Sequence, residues 1–215
     1  MGTRLLVLLL TLGAWCRAEI IDRVAATVGA RAITQSDVLE EIRLSAFLNR
    51  TKPDFGLASR RAAAERLVER ALAEIEMEIG QYPAPDDSEV TAQLATVRKQ
   101  YSPSQDAWIK ALAGYGIREE TLRLHLLRQV ALLRFIDARF GPGAQVLEED
   151  LSAYYQGRFT KEWENKTKEP RPAFDEVRAG IEEVVRAQRV DTLLDQWLKE
   201  ARGRTRIEFK PEAFQ

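Results

Sequence analysis

The chain has 215 residues, 30% of them charged and 45% hydrophobic, with 32 basic against 33 acidic side chains, one histidine and one cysteine. A balance this close to neutral leaves no electrostatic footprint for nucleic acid, and a lone cysteine excludes a disulfide framework. About 200 residues can bury one sizeable core or two small ones, so stability has to come from packing.

In chain order, the first feature is an export signal. Arg4 supplies a positive start, Leu5 to Leu12 is apolar apart from Thr11, and Cys16-Arg17-Ala18 places small residues for a cut after Ala18. The run is far short of the roughly 20 apolar residues of a spanning helix, and every later apolar stretch is broken by charge. Trp15 stands where a lipidated cysteine needs a small neighbour, which argues against a lipid anchor at Cys16. Removing residues 1–18 removes the cysteine and two arginines, leaving a mildly acidic protein with no thiol chemistry. The expected location is the periplasm.

Ile20 to Glu41 reads as strand, Gly29-Ala30 turn, strand and helix start. Ser36 is a suitable N-cap, with Asp37, Glu40 and Glu41 complementing the positive helix end. The first helix carries Val38, Ile42, Leu44 and Phe47, and residues 49–58 form a loop. A second helix is expected from about Ser59 to Ile79, stopped by Gly80, with Leu67, Val68, Ala71, Leu72, Ile75 and Ile79 as its buried stripe. After Pro83 and Pro85, Asp87 or Ser88 caps a third helix with Val90, Leu94, Val97 and Tyr101 on one face. Pro103-Ser104 separates it from a short fourth helix carrying Trp108, Ile109 and Leu112. The fifth, about Arg118 to Phe140, has leucines in nearly all directions and is expected to be central and surrounded. Gly141-Pro142-Gly143 is the best boundary in the chain. A sixth helix, Leu147 to Lys166, is weakened at Gly157. The seventh runs from Phe174 to Arg202 and ends at Gly203, and residues 205–209 alternate like a strand.

Catalytic chemistry is thin. There is no histidine–carboxylate cluster at metal-ligand spacing, no phosphate loop and no Ser/His/Asp set, so no catalytic residue, cofactor or metal is assigned. Glu40-Glu41, Glu119-Glu120 and Glu148-Glu149-Asp150 fall in first turns of expected helices, where the helix dipole accounts for them. His125 lies on the apolar fifth helix and reads as a core or boundary histidine.

Four stretches together resemble the SurA-like periplasmic chaperones: IDRVAATVGARAITQSDV after the cleavage site, ERLVERALAEIEMEIGQYPAPDDSEVTAQL at 65–94, YGIREETLRLHLLRQVALLRFI at 115–136, and FDEVRAGIEEVVRAQRVDTLLDQWLKEARGRTRIEF at 174–209. The resemblance implies a mainly α chaperone core with a small β-sheet formed by the N-terminal hairpin and the C-terminal strand. It divides the chain into a signal peptide (1–18), a helical chaperone domain (19–140), a connecting helix or linker (141–173) and a long helix with strand that packs back on the N-terminal part (174–215). Members of that family usually carry parvulin prolyl-isomerase modules where this chain has only Gly141 to Ala173, too short for a four-stranded sheet with helices.

The function expected on that resemblance is an ATP-independent holdase. Its partners would be unfolded polypeptides, outer-membrane proteins foremost, shielded in an apolar groove. Two sets of residues are candidates for lining it. Phe47, Leu48, Phe55 and Leu57 put four large apolar side chains in and beside a loop. Tyr155, Phe159 and Trp163 share one helical stripe, where packing against the seventh helix is the plainer reading. Two alternatives stay open: a prolyl-isomerase-related folding factor, and an envelope docking protein using the same helical core.

Overall fold

The computed structural model describes residues 22–101 and 104–214. The expected export segment, residues 1–18, and the helix break at Pro103 lie outside the described residues.

The fold starts with a hairpin, β1 (Val24–Val28) and β2 (Arg31–Thr34). Gly29 is the first central residue of its two-residue turn and has φ of 59°, which a glycine adopts without strain. A bulge between Val24 and Ala26 breaks the register. It brings both Ala25 and Ala26 inside and leaves Val24 37% exposed, so the expected Val24/Ala26/Val28 alternation fails at its first member.

Helix α1 (Gln35–Leu48) begins two residues earlier than Ser36 as N-cap would set it. Its N-cap is Thr34, whose hydroxyl accepts from the Asp37 N–H while the Asp37 carboxylate accepts from the Thr34 N–H, a reciprocal capping box. Helix α2 (Leu57–Ile79) takes in Leu57, expected in the loop. It stops at Gly80, as anticipated, but the left-handed residue is Gln81, with φ of 51°. Gly80 is required for space: a Cβ there would lie 2.5 Å from the Tyr82 ring.

Helices α3 (Asp87–Tyr101), α4 (Gln105–Tyr115) and α5 (Glu119–Phe140) follow. A 3₁₀ turn at Gly141–Gly143 leads to α6 (Glu148–Tyr154), a π turn at Tyr155–Phe159 and α7 (Thr160–Lys166). The expected weak point at Gly157 is thus a widened turn inside a continuous helical arm. Helix α8 (Phe174–Arg204) runs through Gly203 instead of stopping there. Strand β3 (Ile207–Phe209) and a 3₁₀ turn, Pro211–Phe214, close the chain.

Strand order is β2-β1-β3, antiparallel throughout. Ala26 faces Phe209 and Val28 faces Ile207 in the ladder, the Lys210 N–H donates to the Ala25 carbonyl at 2.8 Å and the Gly29 N–H to the Arg206 carbonyl at 2.9 Å. The first and last described strands therefore lie in one sheet, and the architecture is mainly α with a small sheet.

Three apolar clusters organise the packing. The largest joins the sheet, α1, α2, the C-terminal half of α5 and the C-terminal half of α8; Phe135, Phe140 and Trp197 meet in it with centroids 5.6–6.0 Å apart. The second joins α1, α3, α4 and the N-terminal half of α5 around Phe47 and Trp108. The third is small: Leu151, Ile181 and Val185, with aromatics of the arm against them. Helix α5 serves two cores in series, Leu122 and Leu126 in one and Phe135 and Phe140 in the other. It is not surrounded, however: Leu124 is 45% and Leu133 58% exposed. On α4, Trp108 and Leu112 are buried while Ile109 is exposed.

Candidate functional site

The first expected client-binding set does not form a surface. Phe47 is completely buried and is corrected to a core residue. Its ring stacks on Tyr101 at 4.2 Å and meets Trp108 and Tyr115 edge-on at 5.7 and 5.3 Å, the offset and T-shaped geometries that aromatic quadrupoles favour. The Tyr101 hydroxyl donates to the Phe47 carbonyl, and burial with the neighbouring Tyr115 pushes the Tyr101 phenol up to about 12. Leu48 packs beside Phe47, Phe55 packs on the main cluster under the Arg43 guanidinium, and Leu57 alone is freely exposed.

The second set does come together. Tyr155, Phe159 and Trp163 stack successively at 5.6 and 5.9 Å. Their outer surface is taken up by the chain itself. The Tyr155 hydroxyl donates to the Pro172 carbonyl at 2.7 Å, the Trp163 indole N–H to the Glu169 carbonyl at 3.1 Å, Arg171 lies over Tyr155, and Phe174 meets Tyr155 edge-on. The stripe fastens the connection between α7 and α8, as its packing reading expects.

A concave surface lies elsewhere, between α2 and α5. Its apolar part is a hollow of about 330 Å³ walled by Met77, Tyr82, Pro83, Pro85, Leu127 and Ala131. Tyr82 is held there by its N–H bond to the Met77 carbonyl at 3.0 Å and by an edge contact with Phe135. Glu74, Glu78 and Arg128 form one side of this hollow and also line a polar cleft of about 480 Å³, so the two are continuous. The cleft extends past Arg70 and His125 to β2 and the Asp37–Glu41 turn of α1. Between the N-terminal helices and α8 the space is filled instead by Trp197, Ala201, Leu194 and Leu198, and is core.

At the base of the cleft is Glu41. It is only 4% exposed, with Arg70 at 2.9 Å, Arg66 at 3.4 Å and His125 at 3.9 Å. This corrects the reading of Glu41 as a solvated first-turn carboxylate. Burial alone would raise its pKa, but Arg70, His125 and Arg66 outweigh that and hold it below the usual carboxylate value. Burial pushes His125 down, with Arg70 and Arg128 adding to the effect and Glu41 opposing it. The imidazole is therefore neutral at neutral pH. At the mouth, Arg31 bridges Glu74, at 2.8 Å, and Glu78.

The buried carboxylate is paired with cations, and no group of three or more His, Cys, Asp or Glu among the described residues could hold a metal ion. No described helix is long and apolar enough to cross a membrane. The groove was missed in the sequence because Leu127 reads as one of the leucines of a surrounded fifth helix and Glu41 as a helix-start carboxylate; the one available signal was Tyr82-Pro83-Ala84-Pro85, an apolar rigid stretch directly after a helix stop. No protein-family model matches the chain, and no curated protein matches it.

Proposed function

We propose that the protein is an ATP-independent holdase of the SurA-like type, acting on unfolded envelope proteins, outer-membrane barrels foremost, in the periplasm. The observation that carries this reading is the pairing of β3 with the N-terminal hairpin together with the packing of α8 on α2 and α5, the arrangement that the four resembling stretches imply. An open apolar hollow walled by Met77, Tyr82, Leu127 and Ala131 supports it, because a holdase needs apolar surface that is not already covered. Burial of client side chains there contributes roughly 25 cal/mol per Å². Ordering the client offsets much of that gain, so binding is modest and release needs no nucleotide.

The test is to dilute a denatured barrel protein from urea into buffer with the mature protein and no nucleotide. Equimolar protein is expected to slow aggregation; no protection across several unfolded clients overturns the reading and leaves the docking-protein alternative. The segment 141–173 is a helical arm without a strand, which supports the further expectation of no prolyl-isomerase activity. Lowering the X-Pro barrier needs a shaped pocket, and acceleration of a proline-limited peptide assay by the pure protein would refute that part.

A further inference from the structure

The hollow and the cleft differ in character yet share a wall. Along α2 and α5 their lining residues are offset by between one and two turns, roughly 7 Å. An extended chain covers that distance in about two residues, and residues two apart point to the same side. One client segment can therefore place a side chain in each. The hollow accepts a large apolar group. The cleft is lined by five carboxylates, Asp37, Glu40, Glu41, Glu74 and Glu78, against three guanidinium groups, Arg31, Arg70 and Arg128. Glu41 is consumed by its own ion pairs, but Glu40 is exposed with no ion pair or hydrogen bond among the described residues. The Glu78 side chain is 72% exposed even while touching Arg31. Arg128 lines both spaces at their junction.

We propose that this groove selects extended client segments in which a large apolar residue stands two positions from a lysine or arginine, the apolar side chain entering the hollow and the cation entering the cleft beside Glu40 and Glu78. The inference rests on the holdase reading and adds a charge preference to it. An acidic residue at the same spacing meets Glu40, which has no cation of its own among the described residues, and Glu78, which shares Arg31 with Glu74, and is disfavoured.

Fluorescence anisotropy with labelled peptides of equal length, identical except for Lys, Ser or Glu two positions from a Phe, tests it on the full mature chain. The lysine peptide is expected to bind about threefold to tenfold tighter than the glutamate peptide, with the difference fading in about 0.5 M salt. The double variant Glu40→Gln/Glu78→Gln, altering two exposed side chains, should bring the peptides within twofold while leaving the melting curve unchanged. Ala131→Phe, which fills the hollow from a half-buried helix position, should weaken all three. Equal binding of the Lys and Glu peptides, discrimination that survives the double variant, or unaltered binding by Ala131→Phe each overturns the proposal. If the protein still protects urea-diluted clients in those cases, only the charge preference has failed; if it neither binds peptides nor protects clients, the holdase reading falls with it.

Discussion

Glu41 shows how much one side chain can organise. Taking a carboxylate out of water is costly unless it is paired, and here two arginines and a histidine surround it. Glu41→Ala leaves Arg70, 19% exposed, without its partner. The expected loss is about 3 kcal/mol, measured by urea unfolding. The same cluster sets a pH response. Because folding holds His125 below its ordinary pKa of 6.5, the unfolded chain takes up that proton first as the pH falls, and stability drops from about pH 6.5 downward. Glu41, held below its ordinary 4.5, adds a second loss under about pH 4.5 for the same reason. His125→Gln should flatten the upper part of a melting-temperature series and leave the lower part in place; a profile unchanged by that variant would contradict the assignment. None of this was legible in the sequence, where Glu41 has acidic neighbours and a helix start to explain it. Its partners lie 25 to 84 positions away and meet it only when α1, α2 and α5 pack. Phe47 was misread for the same reason: Leu48 and then the polar and turn residues 49–54 follow it, while the three rings that bury it come from α3 and α4.

Elements were far more legible, because their limits are local. Gly80 and Gly141 end helices, and the third helix shows its buried Val90 and Val97 at helical spacing. The sheet was legible from alternation at both ends of the chain, and a hairpin alone is marginal in water. What alternation could not reveal was the clamp beyond β3. Ala213 and Phe214 are buried in the main cluster, and the 3₁₀ turn that carries them packs on β1 and α2. Phe214→Ala is expected to destabilise by about 3 kcal/mol, with the loss seen as an earlier denaturation midpoint. Deleting residues 205–215 should cost more, since β1 then loses its second partner strand; a melting temperature unaffected by the deletion would show that the sheet is dispensable.

At the scale of the whole molecule, the three clusters are unequal. The body rests on two substantial cores strung along α5, whereas α6, the π turn and the first half of α8 share a cluster with only Leu151, Ile181 and Val185 buried. Opening free energies follow such differences in buried contact. Hydrogen exchange should therefore be fastest in 148–185 and slowest in α2, the middle of α5 and the 194–201 stretch of α8. Uniform protection would mean that the arm is held by more than this cluster.

The position of β1 between β2 and β3 has a consequence for how the protein is made. A polypeptide emerges amino end first, so β1 and β2 can pair early, yet the other edge of β1 stays bare until some 180 further residues have been added. Throughout that interval the nascent chain presents an unpaired strand and an unfilled half of its main core, a state that is slow to resolve and open to mispairing. A message truncated anywhere before Ile207 yields a product that can never acquire its last strand.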